Sequence, residues 1–566
     1  MPQLTVGEQT RLARLAVDRT RRAALARVLR SPLMRWRYGA PVADELLIVP
    51  QDLRAADPSF AGEIEHDHFG LAGRVAHLST GSLFDLTPPS AEWARELYGF
   101  GWLRHLRAAN RATARATALS LVAHWIASAT GKRGVAWESA VIARRLVSWI
   151  SNAALLLEDV DQETYDRTLD SLADQLIHLS ATWRDAPNGY PRLLALTALV
   201  YGDLCIAGHD RHLADIAERF ADELARQILP DGGHISRNPG VAVEVLLDLL
   251  PLRQCFATRD RTTPAALDAA IRRMMPMLRF LRLGDGTLGR FNGMGAPSVD
   301  ALATVLAYED APDSGITVAP NSRYARLEHG GFVVLVDVGP PPPLELASQA
   351  HAGCLSLEAS SGAAAIFVNG GAPGPAEQDW RPASRATASH NTVCLGSKSS
   401  SKLVRHPLLE SLIGGAPIRS PNDVSSRLER TGEGIALEAS HDGYVRPFGL
   451  VHRRRLMLGA DGARLEGRDR IAPARGHLRL ARDIPFAVHF HLHPEVGAEP
   501  RQDEGAVDLV LRNGERWRCA AMGAALSLEE SIHFADLAGP RQTLQIVLRG
   551  ACFGDTDVRW SLDKVG

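Results

Sequence analysis

Apolar residues recur three and four positions apart along the first half of the chain. In "SAEWARELYGFGWLRHLRAANRATARATALSLVAHWIASATG" the spacing predicts helices, closed by a glycine stop. The same period returns in "ESAVIARRLVSWISNAALLL", "QETYDRTLDSLADQLIHLSATWRD", "RLLALTALVYGDLCIAG", "RHLADIAERFADELARQIL", "GVAVEVLLDLLPLRQCFA" and "PAALDAAIRRMMPMLRFLRL". Short Gly, Pro, Asp or Asn breaks separate these runs, the rhythm of antiparallel helix pairs. Near residue 320 the period becomes two. "GGFVVLVDVG", "AAAIFVNGG", "HNTVCLG", "GIALEASHDGY", "HRRRLML", "GARLEGRDR", "FAVHFHLHP", "AVDLVLRNGERWRCAA", "LSLEESIHF" and "TLQIVLRG" predict short strands joined by turns such as Asp461-Gly462 and Asn513-Gly514. Strands without intervening helices predict an antiparallel sandwich. The expected division is a mixed segment over 1–88 with one basic amphipathic helix, a helical domain over 89–318 and a β-domain over 319–566. Pro340–Pro343 reads as the loop ending the first strand of the β-domain.

Composition narrows the partners. A chain of 566 residues, 45% hydrophobic and 23% charged, has the balance of a globular protein of two or three domains. Its formal charge of −2 provides no global basic field, so nucleic acid is not an expected partner. Six cysteines without a CxxC pair read as reduced thiols. The arginine-rich N-terminus lacks the apolar core of a signal peptide, and no run reaches the ~20 apolar residues of a membrane span. Those features predict a cytoplasmic location, with export by another route left open.

Four stretches carry candidate chemistry. In "DGGHISRNPG", residues 231–240, a turn delivers His234, Arg237 and Asn238 to the start of a helix. Free N–H groups there favour an anion, Arg grips a carboxylate and His moves protons near neutral pH. The plainer reading has Asn238 as the helix cap and Pro239 as its first residue. In "GDGTLGRFNGMGAP", residues 284–297, glycines let backbone approach closely while Arg290 and Asn292 offer charge and an amide. His351, Asn369 and His390 at strand edges are candidate ligands for zinc or another divalent metal. In "HDGYVRPFGLVHRRRL" the phenol of Tyr444 near arginines is expected to have a lowered pKa; alternation leaves His452 and Arg454 on a wet sheet face. His489, His491 and His493 share one face, too widely spaced for a single ion.

Helices ending in "DGGHISRNP", then "FNGMG", "AHAGCLSLEASSG" and "ASHNTV", together resemble the heparinase II/III family of polysaccharide lyases, nearest to its oligoalginate-lyase branch. The resemblance implies an incomplete (α/α) toroid followed by an antiparallel β-sandwich, with a substrate cleft between them. It also implies β-elimination on a uronate-containing glycan, which requires neutralising the uronate carboxylate while a base takes the C5 proton. By that likeness Arg237 and Asn292 hold the carboxylate, and His234 and Tyr444 handle protons. Asn238, Arg290, Gln349, Arg446 and His452 then contact the acidic glycan. Three positions depart from the family pattern: Phe291 falls in the neighbourhood of a tyrosine, Gln349 replaces a histidine and Asn369 replaces a metal-ligand aspartate. Two other functions follow as alternatives. One is a member that binds a glycan without cutting it. The other is a toroid glycoside hydrolase drawing its carboxylates from Glu138, Asp231 and Glu244.

Overall fold

The computed structural model describes residues 45–565, with breaks at 80, 129–133, 210–211, 297–298, 309–314, 405–413, 475–482 and 502–503, and scattered positions between 9 and 24. The basic helix expected near the N-terminus lies largely outside the described residues.

The helical half is an incomplete (α/α) toroid. Its central helix, Tyr190–Cys205, is buried without interruption from Leu193 to Cys205, a predominantly apolar run that takes Thr197 and Asp203 inside with it. That helix packs on Ser139–Ser151, Leu213–Gln227 and Pro239–Thr258, and Pro239–Thr258 packs in turn on Ala265–Phe280. The segment before residue 88 joins this core. The helix Ser59–Glu65 and the hairpin His68–Leu71/Arg74–His77 bury Ile64, Phe69 and Leu71 against it. Among the described residues no helix is long and apolar enough to cross a membrane.

The second half is an antiparallel β-sandwich built from three sheets. One is a meander of five strands, Val318–Ala319, Tyr324–His329, Phe332–Asp337, Leu357–Ser361 and Ala364–Phe367. A four-stranded sheet centres on Ile484–His491 and Arg541–Cys552, and an eight-stranded sheet runs from Gly497–Arg501 to Val424–Thr431. Val334, Leu357, Phe367, Leu456, Val488, Phe490 and Trp517 fill the space between them. Pro340–Pro343 follows the third strand of the meander, not the first, because Val318–Ala319 and Tyr324–His329 precede it.

Candidate functional site

The turn at 231–240 is where the two halves are fastened. Asn238 caps the helix Pro239–Thr258, its side chain accepting the Gly240 N–H at 2.9 Å, with Pro239 in the first turn. Before the cap, Asp231 accepts the backbone N–H groups of Asn321 at 2.8 Å and Ser322 at 2.7 Å, across from the β-half. Arg237 adopts a left-handed backbone (φ 57°) and turns its side chain into the joint, where it is 6% exposed. Its Nε donates to the Ser322 carbonyl at 2.8 Å, Nη1 to the Pro340 carbonyl, and Nη2 to the Arg323 carbonyl at 3.0 Å and to Asp337. The guanidinium also sits 4.9 Å from the centre of the Tyr324 ring. Burial disfavours its charge, but Asp337 and Tyr324 outweigh that, and its pKa is raised. Asn292 (φ 49°) reaches the same carboxylate, donating to Asp337 at 3.2 Å and to the Tyr324 hydroxyl at 3.0 Å. Tyr324 in turn donates to the Arg237 carbonyl. Arg237 and Asn292 therefore converge as expected, but on Asp337 of the sandwich. Their donors are consumed in holding the halves together, so neither presents them to a uronate.

His234 is turned the other way. Gln227 uses its amide N–H groups on Gly189 and Glu223, so its Oε1 accepts, and His234 Nε2 must carry the proton shared at 2.8 Å. The lone pair on Nδ1 accepts the Ser236 N–H at 3.1 Å, with the Ser236 hydroxyl at 2.7 Å. Burial, with Arg226 nearby, pushes its pKa down to about 3. A neutral ring with both nitrogens bonded inside the fold cannot accept a substrate proton.

The remaining candidates separate from this joint. Tyr444 is fully buried in the sandwich core, donating to the Val393 carbonyl at 2.7 Å. Burial raises its pKa well above the usual phenol value, the reverse of the expected lowering. His452 and Arg454 occupy the inner face of Leu450–Gly459, not a wet one. Asp469 accepts His452 Nε2 at 2.7 Å, Arg454 at 2.8 and 3.0 Å, and the Trp560 indole at 3.0 Å. Arg446 is exposed on the turn Val445–Phe448. Gln349 is exposed beside the glycine-rich loop, its carbonyl 2.7 Å from where a Cβ on Gly293 would stand.

The residues at the expected metal position do not fit a metal. His390 Nδ1 donates to the Ala386 carbonyl at 2.8 Å, so its Nε2 is an acceptor, and it takes the His351 Nδ1 proton at 3.1 Å. Asn369 Oδ1 already accepts the Asn391 N–H at 3.0 Å. One imidazole lone pair is left, where zinc wants four donors. Among the described residues no group of three His, Cys, Asp or Glu could hold an ion.

Two open spaces border the glycine-rich loop and share Thr287 and Val299 in their walls. One, of about 250 Å³, has Asn238, Glu244 and Met294 in its wall. Glu244 is also bonded at 3.0 Å to Arg54, which pairs at 2.9 Å with Asp248. Asp248 further binds Arg144 at 3.0 Å and accepts the Tyr190 hydroxyl at 2.8 Å. Those arginines hold its carboxyl down at about 2 against the opposing effect of burial. The other space, of about 310 Å³, lies at the seam and is lined by Arg290, His493 and His533. Sequence reasoning passed over Asp337, Tyr324, Tyr190 and Asp248, because each is a lone polar residue whose partners come from distant elements.

The comparisons agree with this architecture. The model of the heparinase II/III-like C-terminal family matches residues 311–561. FtsZ-localized protein C of Caulobacter vibrioides is 30% identical over 546 residues, covering 94% of this chain and 92% of that one. Among solved structures, heparinase III aligns with a TM-score of 0.68 at 12% identity over 96% of this chain and 89% of that one. A mutant heparan sulfate lyase HepC from Pedobacter heparinus aligns with a TM-score of 0.63 at 15% identity, over 98% of this chain and 88% of that one.

Proposed function

The chain belongs to the heparinase II/III-like family, and from that premise we propose that it holds a uronate-containing glycan at the toroid–sandwich seam without cleaving it. The fold supports the glycan. One observation carries the absence of cleavage: the imidazole of His234, the guanidinium of Arg237, the amide of Asn292 and the phenol of Tyr444 are all spent on internal hydrogen bonds. Elimination needs a base with a free lone pair and a cation free to meet the carboxylate. The test is incubation of the folded protein with heparan, hyaluronan, alginate and pectic oligosaccharides, following both binding and the absorbance of the unsaturated uronate. Retention of a glycan with no new chromophore is the expected result. Growth of that absorbance would overturn the reading.

β-Elimination remains the second reading, favoured by the Tyr190–Asp248–Arg144 cluster, which combines a phenol and guanidinium groups in the toroid. It requires that Tyr190→Phe abolish whatever turnover the same assay detects. The likeness to FtsZ-localized protein C supports a place as well: the chain localises with FtsZ. A fluorescent fusion spread evenly through dividing cells would remove that reading.

A further inference from the structure

The run "HRRRLML" sets a charge problem on the outer face of the eight-stranded sheet. Alternation turns Arg454 inward to Asp469 and leaves Arg453 and Arg455 on the solvent side. Antiparallel pairing of Leu450–Gly459 with Arg464–Pro473 then sets Arg453 opposite Arg470 and Arg455 opposite Arg468. The next strand, Thr556–Lys564, sets Arg559 opposite Arg468. On the other side Glu438 separates Arg455 from Arg427 of the strand Val424–Thr431. Like charges directly opposite one another destabilise a sheet. Folding alone gives no reason to assemble three such pairs on one face.

The carboxylates nearby do not balance these arginines. Glu429 holds Arg427, Asp555 holds Arg470, and Asp557 holds Arg468 at 2.6 Å. Arg559 must share Asp557, at 3.5 Å. Arg455 stands 3.7 Å from Glu438 without a hydrogen bond. Arg453 has neither a hydrogen bond nor an ion pair among the described residues. Six guanidinium groups therefore meet four carboxylates. The next row adds nothing, because Arg464 holds Glu466 at 2.8 Å. The pairs that do form are open to water, where an ion pair is worth little and exchanges readily for another carboxylate.

The block walls a shallow hollow of about 470 Å³, flanked by the hydroxyls of Ser425 and Ser440, 2.8 Å apart. All its lining residues come from the sandwich, none from the toroid. None is aromatic, so neither a nucleobase nor a sugar ring finds a surface to stack on. Alternate residues of a strand stand ~6.4–6.8 Å apart. Arg453 and Arg455 repeat at that spacing, as do Arg470 and Arg468, and so do alternate side chains of an extended peptide.

We infer that this face docks an extended acidic peptide of a partner protein. Its carboxylates, on alternate residues, seat against the Arg453/Arg470 and Arg455/Arg468 pairs. Each carboxylate lies between two opposed guanidinium groups and relieves their repulsion. The free sheet is less stable for holding these arginines together, and the bound peptide restores what is lost.

The probe is a fluorescein-labelled heptapeptide of alternating glutamate and serine. It is titrated with the full-length protein in about 0.15 M salt and followed by fluorescence anisotropy. Saturable binding is expected, and Arg453→Glu should weaken it at least about tenfold by reversing one charge-assisted contact. The same variant should raise the melting temperature, because it turns an opposed pair of arginines into an attractive cross-strand pair. Arg167→Glu makes the same charge change on the exposed side of the toroid helix Gln162–Thr182. It should leave binding within about twofold of wild type, since salt screens a charge at that remove. An oligothymidylate of the same net charge should bind more weakly, because the face offers its bases nothing to stack on. Three results overturn the docking surface: no peptide binding, equal losses in Arg453→Glu and Arg167→Glu, or oligothymidylate binding as tight as the peptide's. A lowered melting temperature in Arg453→Glu would refute the premise that the opposed arginines destabilise the free sheet.

Discussion

Arg237 serves four acceptors at once, and that number governs what its loss does. Arg237→Ala would leave Asp337 buried without its cation and strip donors from the carbonyls of Ser322, Arg323 and Pro340. Breaking a buried pair by removing one partner costs about 3–5 kcal/mol. The expected outcome is a loss of that size in urea-induced unfolding. A change below about 1 kcal/mol, the worth of a surface pair, would refute the interdomain role. Arg237→Lys should rescue little, since an ammonium cannot span the planar fork of acceptors. Tyr444→Phe is a milder case. It orphans the Val393 carbonyl and should cost about 1–3 kcal/mol while leaving glycan retention intact.

Elements meet through backbone at the glycine-rich loop. A Cβ on Gly284 would stand 2.0 Å from the Gly362 carbonyl oxygen, in the turn between Leu357–Ser361 and Ala364–Phe367. Gly284→Ala must therefore push loop and turn apart, at about 1–3 kcal/mol for an overpacked contact. A lowered melting temperature should report it, and unchanged melting would mean the contact yields freely. The helices were legible because a 3.6-residue apolar period survives in them, and Asn238-Pro239 announced its cap. Tyr324–His329 was not legible: "YARLEH" has too few apolar residues to show a period of two. The inward turn of His452 and Arg454 had a readable signal, since Leu450, Leu456 and Leu458 share their parity and are buried. Their polarity argued against that phase; Asp469 on the neighbouring strand, with the carbonyls of Leu355 and Asn391, makes the buried position tenable. Likewise His234 and Arg237 were singled out by residue type, but their partners Gln227 and Asp337 lie outside the motif and decide what they do.

Across the whole molecule, buried neutral histidines tie stability to pH. Burial foremost holds His234, His491 and His533 near about 3 and His390 near about 4. Unfolded, each titrates near about 6.5. Between those values the unfolded chain binds more protons than the folded one, so stability is complete above about pH 6.5 and is lost as pH falls toward about 3. Each ring contributes a slope of up to about 1.4 kcal/mol per pH unit in that window. Urea midpoints taken at pH 7.5, ~5.5 and ~4.5 should fall steadily, and His234→Gln should flatten the trend by about one proton's worth. A level profile down to pH ~4.5 would contradict these buried rings.

The fastening at Asp337 also limits how the molecule can be taken apart. A gene split between the helix ending at Tyr308 and the strand beginning at Val318 would free a helical fragment carrying Arg237 and a sheet fragment carrying Asp337. Each fragment would then expose a surface shaped and charged for its missing counterpart. Expressed separately, the pieces should be poorly behaved, and supplied together they should find each other, a property that would make the pair a natural split reporter.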